Sequence, residues 1–176
     1  MENAAFDFNA FMEEITRKVE GMSYDECIDM ALAVCMRDFG SYRKYIDANG
    51  CPENKFAVCE EIFAAVLRNR YCSDRIDCKE FISSCNDFLE QLQEEDGEYF
   101  DECVNITCMI MHILAYIDTR DKRNITAVLK LCIETGEAYF SRSCPDGGSD
   151  KLTELADAVI RLDTSSVTAL HSCFDK

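Results

Sequence analysis

Apolar residues recur three and four positions apart along nearly the whole chain, and few residues interrupt them. That spacing places side chains on one stripe of a helix. Phe8, Phe11, Met12, Ile15 and Val19 form the first stripe, with Gly21 as its expected C′ residue. Ser23 and Glu26 have the spacing of a capping box. They open a helix through Cys27, Met30, Ala31, Val34 and Cys35 that is expected to stop near Gly40. A short helical turn over 41–48 ends at Asn49-Gly50, and Pro52 suits a first helical turn. Phe56, Cys59, Phe63, Val66 and Leu67 follow, running to about Asn69. Asp77 is the expected cap of a segment burying Phe81, Ile82, Cys85, Phe88, Leu89 and Leu92. Tyr99 to Ile117 is the most apolar segment and the expected central helix, with Phe100, Val104, Cys108, Met111, Leu114 and Ala115 facing inward. After a polar turn at 118–123, Ile125, Val128, Leu129, Cys132, Gly136, Tyr139 and Phe140 mark another stripe. "SCPDGGSD" at 143–150 reads as a loop, with Ser149 or Asp150 capping a helix through Leu152, Leu155, Ala156, Val159 and Leu162. A last short helix is expected over 165–174.

The chain has only 7 Gly and 2 Pro, too few for strands joined by tight turns, and no segment alternates convincingly. No long repeat or low-complexity linker divides it. The expected architecture is one all-α domain over 1–176, a bundle of about seven or eight helices.

The net charge of −16 repels nucleic-acid backbones and anionic lipid. The densest basic run, "TRDKRN" at 119–124, holds three cations and one acid, so no basic patch overrides that field. No apolar run reaches the roughly 18 residues of a membrane span, and "CMIMHILAYI" at 108–117 fits a buried helix. "MENAAFDFNAF" lacks the positive region and apolar stretch of a secretion signal, which gives a cytoplasmic expectation. The 12 cysteines are then reduced thiols, none of them in a C-x-x-C or C-x-x-H pair. Most take apolar positions on helix faces as small hydrophobes. Cys51 and Cys144, beside Pro52 and Pro145, are the candidates for exposed, oxidisable thiols.

One pattern points to chemistry. In "IETGEAYF" at 133–140, Glu134 and Glu137 lie three apart, and Glu154 and Asp157 in "TELADAV" repeat the spacing. The words resemble the all-α nucleotide pyrophosphatases of the MazG type, whose E-x-x-E and E-x-x-D pairs would hold Mg²⁺ as the cofactor. Carboxylate oxygens suit that hard ion, and a caged metal can activate water. Two observations oppose this alternative. Thirty-four acids in 176 residues produce such spacings by chance. Both pairs also fall off the apolar stripes, Glu134 and Glu137 beside Lys130 and Ser141, as solvated faces do. His112 has no acidic or His neighbour three or four residues away and reads as a core histidine; His171 reads as exposed. There is no G-x-S-x-G, no phosphate-loop motif and no E-x-x-H pair.

"CIDMALAVCMRDFGSYRKYIDANG" at 27–50 resembles the YjaG-like bacterial proteins, a helical family without an established activity. Cys35, Arg37, Tyr42, Tyr45 and Gly50 stand at the family's pattern positions. The register continues through "QEEDGEYFD", "CVNITCMIMHILAYI" and "NITAVLKLCIETGEAYF", covering about residues 23–142. Gly40-Ser41 stands where the family has proline, and its tryptophan is missing. The resemblance implies a helical fold and no mechanism. Arg37 and Tyr42, with Tyr45, are candidate binding residues; structurally, Arg37 is expected to pair with an acid such as Glu60 or Glu61. Together these features predict a non-enzymatic acidic protein with no cofactor that binds another, basic protein, as an immunity or inhibitor protein does. A regulatory homodimer is a further alternative.

Overall fold

A computed structural model describes residues 6–48, 53–92, 99–143 and 148–162. Seven helices account for them: α1 (Phe8–Gly21), α2 (Tyr24–Ala48), α3 (Glu53–Cys72), α4 (Cys78–Gln91), α5 (Phe100–Thr119), α6 (Arg123–Ser143) and α7 (Gly148–Arg161). The described residues contain no strand, and the protein is an all-α bundle. Pro52, residues 93–98 and the expected helix at 165–174 lie outside the described residues.

α5 is the centre. It packs against α2, α3, α4 and α6, and Cys103, Ile106, Met109, Ile110 and Ile113 are fully buried. It is also the one described helix long and apolar enough, by length and composition, to cross a membrane. The expected inward set was rotated relative to the observed one: Val104, Cys108 and Met111 are only half-buried. A helix that is apolar on all sides gives no periodicity from which to read its facing. α6 is likewise enclosed, touching α1, α2, α5 and α7. Its buried face therefore widens to include Ile133 and Thr135, whereas Tyr139, expected on the stripe, is 37% exposed.

Local signals set most helix starts. Ser23 N–H donates to Glu26 Oε2 at 2.7 Å, and Glu26 N–H to Ser23 Oγ at 3.3 Å, closing the capping box. Asp77 caps α4 by accepting from Glu80 N–H at 3.0 Å. Three boundaries differ from the sequence expectation. α2 passes straight through Gly40 to Ala48, because Phe39 is held against Phe63 with ring centroids 4.8 Å apart and this packing outweighs the roughly 1 kcal/mol helix cost of one glycine. Gly21 is the last residue of α1, and Met22 is the cap. α7 begins at Gly148, a turn's fraction before the expected caps, where an added Cβ would still stand 3.7 Å from the Phe140 carbonyl oxygen.

Two lysines tie helix ends together. Lys122 Nζ donates to the carbonyls of Glu20 (2.8 Å) and Met22 (2.5 Å) at the end of α1. Lys18 Nζ donates to those of Ile160 (2.5 Å) and Leu162 (2.6 Å) at the end of α7. Each ammonium satisfies carbonyls that a helix end leaves unpaired, at the negative end of its dipole.

Replacing Ile110, in the middle of α5, by alanine opens a cavity that the four surrounding helices cannot close. The I110A variant is expected to lose about 2–5 kcal/mol of stability, read as a lower urea midpoint.

Candidate functional site

Two clefts on the described surface flank Phe140, and a groove opens elsewhere, between α2 and α3. The first, about 330 Å³, lies between α2, α6 and α7, with Arg37, Asp38, Thr135 and Tyr139 among its walls. α7 approaches α6 closely here because residue 136 has no side chain: a Cβ on Gly136 would meet Leu155 Cδ2 at 2.3 Å. Arg37 is half-exposed and donates through Nε (3.1 Å) and Nη2 (3.0 Å) to Asp38 Oδ1. Asp38 is buried to 7% side-chain exposure. Its Oδ2 has no hydrogen bond of good geometry among the described residues, although the Cys132 thiol lies beside the carboxylate and interacts with it. Burial pushes the Asp38 carboxyl above its usual range, and Arg37 pulls it part of the way back. Burial and then the Asp38 charge hold the Cys132 thiol firmly protonated.

The second cleft, about 550 Å³, lies on the other side of Phe140, between the start of α1, the end of α6 and the start of α7. Phe6, Phe8, Phe140 and Leu152 form its apolar walls, and Glu137, Ser141 and Ser149 contribute polar atoms. The third is a groove of about 400 Å³ between α2 and α3, lined by Met36, Phe39, Phe63 and Leu67. The Arg43–Glu60 ion pair, 3.1 Å, spans its rim.

Sequence and structure assign the candidate residues differently in one respect. Arg37 does not reach Glu60 or Glu61; it turns to its neighbour Asp38, and Glu60 is taken by Arg43 one turn and a half further along α2. Tyr42 and Tyr45 belong to the last turns of α2, but their side chains lie outside the described residues. So do Cys51, Cys144 and His171. His112 is half-buried rather than in the core, with Nδ1 3.0 Å from Asn124 Oδ1.

The two acidic pairs do not face each other. α7 turns Leu152, Leu155, Ala156 and Val159 inward, which leaves Glu154 and Asp157 exposed on its outer side. Each is paired along its own helix, Glu154 with Lys151 and Asp157 with Arg161, both at 3.1 Å. Glu134 pairs with Lys130 at 3.0 Å. Glu137 stands apart from these, exposed at the edge of the aromatic cleft. Among the described residues no three His, Cys, Asp or Glu side chains converge as metal ligands would.

Seven described cysteines are buried: Cys27, Cys35, Cys59, Cys78, Cys85, Cys103 and Cys132. Burial raises the Cys35 thiol well above its ordinary value, so it stays in the un-ionised, unreactive form. Cys72 is exposed at the end of α3, a thiol that the apolar pattern did not single out. Two charged clusters, one around a buried carboxylate and one part-buried, were also not legible. Glu102, fully buried on α5, takes an ion pair from Arg142 at the end of α6. Asp29 on α2 accepts two bonds from Arg70 (2.9 and 2.8 Å) and one from the Tyr71 hydroxyl (3.0 Å), fastening α2 to α3. Burial and then this bond to a carboxylate push the Tyr71 phenol up to about 12.

No protein-family model, no curated protein and no solved structure matches the chain.

Because the folded-state carboxyl of Asp38 titrates above its unfolded value, the native protein holds this proton where the unfolded chain has lost it. Its contribution to stability then falls as pH rises through that interval. The D38N variant lacks this titration. Urea unfolding across a pH series is expected to show wild type gaining stability relative to D38N as pH drops from neutral through the raised value, with a constant difference above it.

Proposed function

We propose that this chain is a non-enzymatic, acidic helical protein of the cytoplasm that binds and masks a basic protein partner, as immunity and inhibitor proteins do. The observation that carries the reading is how the charge is distributed. Acids outnumber cations 34 to 18. The cations are largely committed within the fold. Lys18 and Lys122 cap helix ends, Arg70 binds Asp29, Arg142 binds Glu102, and Arg120 lies 3.3 Å over the Tyr24 ring. Arg37, Arg43, Lys130, Lys151 and Arg161 each hold a carboxylate nearby.

Meanwhile Glu13, Glu14, Glu20, Asp87, Glu90 and Glu137 stand exposed on α1, α4 and α6. An outward field of one sign steers an oppositely charged partner and speeds encounter more than it strengthens the final complex. Exposed like charges also help keep a chain soluble. A partner is what distinguishes the two roles.

Affinity capture on the tagged chain from its own cells at low salt is the test. The expected result is stoichiometric recovery of one basic protein, with an association rate that falls steeply as ionic strength rises. Recovery of no basic protein, a chain that elutes as a homodimer and pairs only with itself, or Mg²⁺-dependent release of pyrophosphate from a nucleotide panel would each overturn the reading.

A further inference from the structure

We infer that the aromatic cleft between the start of α1, the end of α6 and the start of α7 is where a lysine or arginine side chain of the basic partner docks. The inference rests on the binding function proposed above and names its contact.

The cleft has the chemistry of a cation receptor. Phe6, Phe8 and Phe140 line it with aromatic rings, whose faces attract a cation through their quadrupoles, and Glu137 adds a carboxylate to the lining. The rings are held in place. Phe6 and Phe8 each contact the buried Phe11, with centroids 6.0 and 6.4 Å apart, and Phe6 N–H donates to Ser149 Oγ at 3.3 Å. Tyr139, the large apolar side chain left exposed on the described surface, sets its ring edge-on to Phe140 at 5.6 Å beside the cleft.

Charge distinguishes this cleft from the other two described above. The α2–α6–α7 cleft already contains Arg37, and the α2–α3 groove already has Arg43 on its rim. The aromatic cleft is lined by no cation among the described residues, and Glu137 has no ion pair there, unlike Glu134, Glu154 and Asp157. An anionic ligand meets Glu137 and the −16 field. A lysine or arginine instead lays its apolar stem along Phe140 and Leu152 and brings its charged head to the carboxylate. A volume of about 550 Å³ holds such a side chain with room for the backbone that delivers it.

The test uses the full chain with hexalysine and hexa-arginine as probes and hexaserine as the uncharged control, followed through its amide NMR resonances at low salt. The expected result is saturable shifts of Phe6, Phe8, Glu137 and Phe140 with both cationic peptides and none with hexaserine. E137Q is expected to weaken binding by about two- to five-fold, the range of one exposed ion pair, while E154Q on the outer face of α7 leaves it unchanged. F140L, with its fold checked by circular dichroism, is expected to weaken arginine binding further by removing an aromatic face. Shifts confined to other acidic surfaces, or equal effects of E137Q and E154Q, overturn the docking site and leave the parent reading standing. A cleft that stays silent in a chain that captures its basic partner does the same; silence together with failed capture overturns both.

Discussion

α5, the most apolar helix, keeps Cys103, Ile106, Met109, Ile110 and Ile113 wholly out of water, and that burial shapes the whole chain. Four helices, α2, α3, α4 and α6, are needed to cover it. The polar groups it carries inward need partners there. Thr107 donates to the Cys103 carbonyl at 2.9 Å and lies 3.6 Å from the Cys59 sulfur; Glu102 meets Arg142 through Oε1, while its buried Oε2 has no hydrogen-bond partner among the described residues. The cover has consequences further out. α6 packs between α5 and α7, and α7 approaches it closely where Gly136 leaves room for Leu155. The clefts on both sides of Phe140 lie where α7 meets α6, one also bounded by α2 and the other by the start of α1.

The parts legible in the sequence were those whose cause is local. The capping box at Ser23 and Glu26 and the Asp77 cap depend on residues three apart, and both form as their spacing requires. α1 and α7 have one wet side and one dry side, so Phe11, Ile15 and Val19, and Leu152, Leu155 and Val159, could be placed inside from period alone. α5 could be recognised as central but not oriented, since its composition carries no contrast between faces. Gly40 looked like a stop because propensity is a local quantity, whereas the Phe39–Phe63 contact that carries α2 onward joins residues 24 positions apart.

The same division holds at the site. That Glu134 and Glu137, and Glu154 and Asp157, sit off the buried stripes followed from spacing. That three of the four hold a cation on their own helix follows from which neighbours stand three or four residues away. The aromatic cleft did not follow from anything local. It needs Phe6 and Phe8 from one end of the described chain to meet Phe140 and Leu152 from the other, and only the packing of α1 beside α6 and α7 brings them together. Arg37 was found as a candidate and given the wrong partner. A buried aspartate directly after it, Asp38, is invisible to a pattern that treats every acid as a surface residue.

The buried thiols have a use that has nothing to do with their chemistry in the native state. Cys35, Cys59, Cys85 and Cys103 sit on four different helices at 0% exposure, where no reagent in solution reaches them. Each becomes modifiable only when its own helix lifts from the core, and Cys72 is open from the start. The chain therefore carries its own set of time-stamps for motion: the order in which its sulfurs are alkylated reads out which helices part company first, and which stay together until the whole bundle opens.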